Sequence, residues 1–331
     1  MKRVLFTALG ILAWMTSHLG SAQDTATSDQ PLRSDALSEL GLLPLGSSIP
    51  SPEAELGRAL FWDPRLSADG RTACASCHRA ADGGADRRPF STDARGRSTS
   101  RNSQTVFNAM LQPALRWTGD RHSGAHQAER SLTGSMGFTN AAEVLPLLRS
   151  HGYEASFRRA WPADPQPITV THYAQALEAY QTTLVTPGPF DRFLAGDPAS
   201  LTPQQKKGLR VFLTVGCADC HGGRLLGGQG IRKFGLKRPY WEATKSPKRD
   251  TGVHESTRRD EDRDLFRVPM LRNVAKTGPY FHDGSVVTLL EAVQVMADVQ
   301  LGRRLDHPDA ADLVAFLEAL TGEVPDHFRN P

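Results

Sequence analysis

The feature that most constrains this chain is a pair of matching short motifs, which together contain all four of its cysteines. The first is Cys74-Ala-Ser-Cys77-His78 and the second is Cys217-Ala-Asp-Cys220-His221. In a Cys-x-x-Cys-His motif the thiols add to the vinyl groups of haem, and the histidine lies beneath the iron. We therefore predict two covalently bound c-type haems, attached through Cys74, Cys77, Cys217 and Cys220, with His78 and His221 as proximal ligands.

Two other uses of four cysteines compete with this interpretation. In an exported protein, cysteines commonly pair in disulfides. Four cysteine thiolates can also bind a structural zinc ion. Neither use requires a histidine directly after each cysteine pair, so the motifs favour haem attachment.

The segments that precede the two motifs also match. Gly57-Arg-Ala-Leu-Phe61 precedes the first motif and Gly208-Leu-Arg-Val-Phe212 precedes the second, which indicates one haem-binding module used twice. Thr202-Pro-Gln-Gln205 combines a helix N-cap, a proline at the first helical position and a capping-box glutamine. Apolar residues recur at helical spacing in two stripes, Tyr173, Leu177, Tyr180 and Leu184, and Leu313, Phe316, Leu317 and Leu320. These patterns predict an all-α protein of two cytochrome c-type domains, each with one haem.

Length and composition agree with this organisation. The 331 residues are enough for two cores, and 39% apolar with 23% charged residues is typical of a globular protein. The formal net charge is +3, and the chain has no run of lysine and arginine that would indicate a nucleic-acid partner.

The N-terminus has the pattern of a secretory signal peptide. Lys2 and Arg3 precede an apolar run over residues 4–15, and residues 20–22 are small. The run is short for a membrane span, which favours cleavage over anchoring. We predict a signal peptide over residues 1–22, a periplasmic location and no membrane span after signal removal.

The rest of the chain divides by composition. Residues 23–37 are predicted to be a flexible N-terminal segment, and residues 38–190 the first haem domain. Residues 191–202 lie in a stretch rich in proline, glycine and aspartate and are predicted to be a linker, followed by the second haem domain at 203–331. Residues 222–264 predict a long surface loop over the second haem.

The sixth iron ligands are not determined by these patterns. A methionine opposite histidine raises the reduction potential and suits electron transfer, whereas an open position suits a small oxidant. Four methionines are candidates by residue type, and periodicity does not choose between them: Met110, Met136, Met270 and Met296.

Several stretches resemble the bacterial di-haem cytochrome c peroxidases. Phe266–Val274, Gly278–Gly284 and Leu290–Met296 resemble the C-terminal half of that family. Leu56–Phe61 and Arg101–Asn108 resemble the N-terminal half, so the resemblance covers nearly all of the chain after the signal. The same superfamily includes MauG-like enzymes, which oxidise another protein.

The resemblance implies roles for particular residues. Met296 matches the axial ligand of the second, high-potential haem, Trp117 matches a tryptophan between the haems, and Gln127 matches a distal-pocket residue. Asn102, Thr277 and Pro279 match the ligands of one calcium ion, which prefers such oxygen donors. Without the resemblance, Asn102 would be read as a turn residue, residues 277–279 as a plain loop and His282 as a satisfied surface histidine.

Two departures from the family concern the first haem. Its removable histidine ligand falls at Ala94, and its distal glutamate falls near residues 136–137. Peroxide cleavage requires a group that moves a proton from one oxygen to the other. Three side chains in the neighbouring segment are candidates, and His126 is favoured because it is adjacent to Gln127: His122, His126 and Glu129.

The resulting prediction is a periplasmic di-haem cytochrome c peroxidase. It would reduce hydrogen peroxide to water in the peroxidatic domain at 38–190, with electrons from a small redox protein such as a cytochrome c or a cupredoxin entering the electron-transfer domain at 203–331. The resemblance also suggests a homodimer. One alternative is a MauG-like oxidase of a partner protein, which Ala94 favours and Met296 opposes, since MauG-like enzymes use tyrosine there. Another is a non-catalytic di-haem electron carrier, which the missing glutamate would permit.

Overall fold

The computed structural model describes residues 29–44 and 51–329, which are mostly helical with little sheet. The sheet among these residues is one antiparallel pair, β1 (Ile231–Lys233) and β2 (Leu265–Arg267), with Ile231 opposite Arg267. The predicted signal peptide and residues 23–28 lie outside the described residues. Within the described residues, every helix is too short or too polar to span a bilayer.

The helices fall into a first and a second series along the chain. The first series is α1 (29–39), α2 (Pro52–Trp62), α3 (Cys74–Cys77), α4 (Gly124–Thr133), α5 (Val144–Ser150), α6 (Glu154–Ala160) and α7 (Val170–Thr182). The second is α8 (Pro189–Leu194), α9 (Pro203–Thr214), α10 (Tyr240–Ala243), α11 (His254–Thr257), α12 (Leu289–Met296), α13 (His307–Glu318) and α14 (Asp326–Arg329). A short π-helix, Ala297–Leu301, continues α12.

Two helix pairs repeat the same close crossing. A Cβ atom on Gly57 of α2 would lie 1.8 Å from the carbonyl oxygen of Ala176 in α7. A Cβ atom on Gly208 of α9 would lie 1.8 Å from the carbonyl oxygen of Asp312 in α13. Only glycine lets two backbones approach so closely. The repeat predicted from the sequence is therefore present as a pair of equivalent helix crossings.

Each crossing lies in its own hydrophobic core. The stripe on α7 is buried in the first core and the stripe on α13 in the second, as the helical spacing predicted. The capping box predicted for α9 is also confirmed, because Thr202 Oγ1 accepts from the Gln205 amide at 3.2 Å and Gln205 Oε1 accepts from the Thr202 amide at 2.9 Å.

The two ends of the chain cross between the cores. The prediction of a flexible segment is wrong for residues 29–37, which lie in helix α1. Leu32, Ala36 and Leu40 are buried in the second core, although they precede the first haem motif. Phe328 is buried in the first core, where its ring lies 5.0 Å from Phe107 between ring centroids. The two units are therefore tied together at both ends.

Residues 222–264 differ from a simple surface loop. They contain β1, α10 and α11, and Tyr240 is fully buried. The Tyr240 ring stacks on Phe234 at 4.6 Å between centroids and contacts His282 at 5.2 Å. Buried aromatic side chains hold this segment against the second unit. The sequence analysis did not detect this packing, because the aromatic residues are too widely spaced to form a helical or strand pattern.

The glycine crossing generates a prediction on stability. Gly208→Ala should lower the free energy of unfolding by roughly 1–3 kcal/mol, because the new methyl group displaces the α13 backbone. Helix propensity alone predicts the opposite sign, since alanine is favoured over glycine by about 1 kcal/mol. Denaturant unfolding of the haem-loaded protein measures the change. Lys207→Ala, at the exposed neighbouring position, is the control, and a stabilised Gly208→Ala protein would contradict the crossing.

Candidate functional site

The first motif places its histidine against the backbone of a tight turn. Cys74 and Cys77 begin and end α3, a single helical turn. The His78 Nδ1 atom donates to the carbonyl oxygen of Gly84 at 2.9 Å. This hydrogen bond fixes the tautomer and leaves Nε2 as the metal-binding atom. Burial lowers the pKa of His78, which keeps the imidazole neutral, as a ligand must be.

The second motif has the same arrangement. The His221 Nδ1 atom donates to the carbonyl oxygen of Leu226 at 3.2 Å, and burial lowers the pKa of His221. A Cβ atom on Gly227 would lie 3.0 Å from this nitrogen and 2.3 Å from the Pro269 carbonyl oxygen. Glycine at 227 is thus required for the backbone to lie against the ring.

The cysteines do not form the competing sites. All four thiols are unpaired, and the two motifs lie beside different cores. Burial raises the pKa of the Cys74 thiol to about 12 and that of the Cys217 thiol to about 11. Among residues 29–44 and 51–329, no group of three histidine, cysteine or acidic side chains is placed to hold a metal ion.

A large apolar cavity lies beside the second motif. Cys217, Cys220 and His221 line it together with two of the four candidate methionines, Met270 and Met296. Aliphatic side chains of α12 and α13 also line it: Leu289, Val293, Leu313 and Leu317. An apolar cleft with a neutral imidazole on its wall and thioethers among its lining residues fits a haem with His/Met ligation.

The remaining two methionines belong to the first unit. Met136 is 3% exposed in the first core, and Met110 lies beside Gly124 at the start of α4. Neither lines the cavity that contains His221. The structure therefore brings Met270 and Met296 to the second motif, and of these two the family resemblance favours Met296.

Trp117 lies where the two units meet. Its Nε1 atom donates to the carbonyl oxygen of Asn102 at 2.9 Å, and its own carbonyl oxygen accepts from the Arg267 amide at 2.7 Å. Its ring contacts His282 edge to face at 6.2 Å. Trp117 thus joins a segment of the first unit to two segments of the second, and it lines the cavity beside the second motif.

His282 is not the satisfied surface residue that the sequence alone suggested. It is 2% exposed, stacks on Phe266 at 4.4 Å between ring centroids, and has a buried Nε2 atom without a hydrogen-bond partner among the described residues. The aromatic residues of the 222–264 segment cover it. A buried polar atom without a partner is rare in proteins and suits contact with a bound group.

Arg267 is a buried cation that the sequence analysis missed. It is 2% exposed, and its Nε and Nη2 atoms donate to the Arg116 carbonyl oxygen at 2.7 Å and to Gln104 Oε1 at 3.0 Å. Nη1 donates to Gln112, so all three partners are neutral. Burial lowers the pKa of Arg267 to about 10. A buried guanidinium in a cavity wall fits the carboxylate of a haem propionate, and the only sequence signal was one arginine within the apolar stretch 265–271.

The three predicted calcium ligands come together across the interface between the units. Asn102, Thr277 and Pro279 all line the cavity near Trp117. The Asn102 side-chain amide donates to the Arg88 carbonyl oxygen at 2.7 Å, which leaves its oxygen as a donor to a cation. In the described ranges, the carbonyl oxygens of Thr277 and Pro279 accept no backbone hydrogen bond. An amide oxygen and two unengaged carbonyls fit a hard cation.

The predicted distal residues of the first site lie on α4. The Gln127 Oε1 atom is buried and has no hydrogen-bond partner among the described residues. His126 is half-buried, whereas His122 and Glu129 are exposed. Consecutive helical residues point about 100° apart, so adjacency to Gln127 does not by itself place His126 in the same pocket.

The two departures from the family are neighbours in space. The Ala94 amide donates to the Ser135 carbonyl oxygen at 2.9 Å. A Cβ atom on Gly137 would lie 3.0 Å from the Ala94 Cβ atom. Ala94 and Gly137, one of the two residues near which the family's distal acid falls, therefore pack together here, and neither has a ligating or titratable side chain.

Comparison with known proteins agrees with the two haem-attachment motifs and the resemblance noted in the sequence. A family model described as di-haem cytochrome c peroxidase matches residues 51–199. The chain is 41% identical to the cytochrome c551 peroxidase of Pseudomonas aeruginosa, across 85% of this chain and 82% of that protein. It is 35% identical to the cytochrome c551 peroxidase of Nitrosomonas europaea, across 84% and 82%. A solved MauG-like protein associated with microbial copper homeostasis superposes with a TM-score of 0.76 at 27% identity, across 87% and 98%.

The two methionines in the cavity can be distinguished by redox titration. If Met296 ligates the second haem, Met296→His should lower that haem's reduction potential by roughly 0.1–0.3 V, since a thioether favours ferrous iron relative to imidazole. Met270→Leu is the matched control and should leave the potential nearly unchanged. If Met270→Leu changed the reduction potential of the second haem and Met296→His did not, Met270 would be the ligand.

Proposed function

Because the chain belongs to the di-haem cytochrome c peroxidase family, we propose that it reduces hydrogen peroxide to water with electrons from a small redox protein. Each peroxide takes up two electrons and two protons and leaves two waters, so two one-electron donors are oxidised in each turnover. The observation that carries this proposal is the pair of Cys-x-x-Cys-His motifs, each with its histidine fixed through Nδ1 to a backbone carbonyl.

We assign one c-type haem to each unit. His78 would hold the first and His221 with Met296 the second, while the bound iron supplies the redox chemistry. Arg267 would balance a propionate charge at the interface. We propose a peroxidatic domain at 38–190 and an electron-transfer domain at 203–331. The predicted linker at 191–202 does not separate them, because Phe193, Leu194 and Leu201 are buried in the second core. α1 is also buried in the second core, and Phe328 in the first.

The residues around the first site would bind peroxide and move its protons. The buried Gln127 Oε1 atom can accept a hydrogen bond from a peroxide hydroxyl. His126 is adjacent to Gln127 in sequence and is half-buried, and we propose that it carries the proton between the two oxygens. Trp117 would relay electrons, because it contacts both units and lines the second cavity.

One observation favours the MauG-like alternative, namely Ala94 at the position of the removable ligand. A methionine in the second cavity opposes it, because the resemblance gives MauG-like enzymes a tyrosine there. We therefore retain peroxide as the substrate. The predicted signal over residues 1–22 would place the enzyme in the periplasm, which mass spectrometry tests by finding a mature chain that begins near Gln23 with two haem additions.

Steady-state turnover tests the proposed function. Reduced cytochrome c should be oxidised by hydrogen peroxide in the presence of the enzyme, with two cytochromes consumed for each peroxide. Gln127→Ala should lower kcat/KM for peroxide by about 10²-fold or more if this side chain positions the substrate. A protein that exchanges electrons with cytochrome c but leaves peroxide unchanged would instead be an electron carrier.

The calcium site generates a second prediction. Removal of calcium by a chelator should slow electron transfer between the haems, because Asn102 lies on one unit and Thr277 and Pro279 on the other. Stopped-flow oxidation by peroxide of the reduced protein measures that step. Asn102→Ala should reproduce the effect without chelator, and Asn140→Ala, at a helix cap remote from the interface, serves as control. Metal analysis that finds no calcium would remove the proposal.

Ala94 generates a third prediction, on the resting state of the first haem. Alanine has no ligand atom, so the oxidised first haem should be five-coordinate or carry only water, and it should bind cyanide without prior reduction. Electron paramagnetic resonance of the oxidised protein should show a high-spin ferric signal from about one haem of the two. Two low-spin signals would show that another side chain closes the site. The variants His122→Ala and His126→Ala would then identify it.

A further inference from the structure

Two neighbouring surface segments carry a concentration of positive charge that the proposed chemistry does not use. Residues 231–238 and 302–304 contain six lysines and arginines and no acidic residue, in a chain whose formal net charge is only +3. All six are exposed, and together they define the basic patch: Arg232, Lys233, Lys237, Arg238, Arg303 and Arg304. Two apolar side chains are exposed in the same segments, Leu236 at 56% and Ile231 at 40%.

Hydrogen bonds hold the two segments of the basic patch together. The Lys237 amide donates to the Val299 carbonyl oxygen at 2.8 Å. Gln300 Oε1 accepts from the Gly235 amide at 2.6 Å, and Gln300 Nε2 donates to the Lys233 carbonyl oxygen at 3.1 Å. A Cβ atom added to Gly302 would lie 3.2 Å from Lys237 Cγ, so the two segments are in contact at this point. The basic patch is therefore one built surface.

The inner side of the basic patch is the wall of the second cavity. Phe234, Gln300 and Leu301 line that cavity together with His221. A Cβ atom added to Gly216, the residue directly before Cys217, would lie 3.7 Å from Leu301 Cδ2.

Acidic side chains border the basic patch but do not neutralise it. Asp298 pairs with Arg238 at 3.3 Å, and the exposed Asp219 lies near Gly216. Six cations against these two carboxylates leave a positive surface. Such a surface attracts a negatively charged partner and raises the rate of encounter, while exposed apolar residues supply the contact once it has docked.

We propose that the basic patch is the docking surface for the electron donor, and that the donor is a small redox protein with an acidic face. This inference rests on the proposed function, in which each docked donor passes one electron to the second haem and leaves oxidised. Leu301, directly before residues 302–304 of the basic patch, approaches Gly216, directly before Cys217. This proximity to the second haem motif is the reason for choosing a redox partner over other acidic proteins.

The test uses the haem-loaded enzyme and a charge-reversed double variant, Lys237→Glu with Arg304→Glu. Neither residue lines the second cavity. The matched control, Arg149→Glu with Arg192→Glu, makes the same change in net charge at exposed positions on α5 and α8. Turnover with peroxide is measured at low ionic strength with three reductants: an acidic cupredoxin, a basic cytochrome c and an uncharged hydroquinone.

The proposal expects KM for the acidic cupredoxin to rise about tenfold in the patch variant, with little change in the control variant or with hydroquinone. It also expects added salt to raise this KM in the wild type and to affect the patch variant less. An unchanged KM, or a lower wild-type KM for the basic cytochrome c, would overturn it. A changed sedimentation coefficient of the free patch variant would show instead that the surface joins two copies of the chain, which also overturns it.

The assay with hydroquinone distinguishes failure of the proposed peroxidase function from failure of the docking proposal. If hydroquinone supports no peroxide reduction by the wild type, the peroxidase proposal fails whatever the donor. Docking is then measured directly, by calorimetric titration of the acidic cupredoxin into each variant. Equal affinity of the wild type and the patch variant for the acidic cupredoxin would contradict the docking proposal.

Discussion

The backbone contact between paired helices is the constraint on which the rest of this structure depends. At Gly57 and again at Gly208, two helices cross with no room for a single methyl group. The close approach brings the apolar stripes of α7 and α13 against α2 and α9, and each haem motif follows the first helix of its pair. Because interiors pack at crystal-like density, a displacement at either crossing would be transmitted to the motif beside it.

A second constraint acts between the units, where polar and charged groups are buried. Arg267 makes hydrogen bonds only to neutral groups, and Trp117 links segments from both sides. His282 Nε2 has no hydrogen bond among the described residues and lies 3.9 Å from Asp250 Oδ2. Burying such groups costs free energy unless a partner compensates. Groups of this kind are therefore better explained by what they bind than by stability. A haem carboxylate fits Arg267, and a calcium ion fits the oxygen atoms of Asn102, Thr277 and Pro279 at the same interface.

The two positions at which the sequence departs from the family resemblance lie side by side. Ala94 and Gly137 are in contact, so replacement of a histidine and a glutamate leaves a small apolar contact and no unpaired charge. This arrangement favours a first haem that is permanently accessible. The proposed distal residues lie on α4, where Gln127 has a buried oxygen without a hydrogen-bond partner among the described residues. In the second unit the basic patch adjoins the second cavity, which Arg232 and Lys233 also line.

The sequence by itself determined the features that local patterns encode. Spacing alone identified the cysteine pairs, the proximal histidines, the repeated glycine-to-phenylalanine segment and the helix stripes, because attachment chemistry and helix periodicity act within a few residues. Only the tertiary structure brought Met270 and Met296 to one cavity, buried His282 under distant aromatic rings, and placed Arg267 among neutral partners. These features depend on contacts between segments far apart in the chain. Burial and pairing are properties of those contacts, and no local pattern records them.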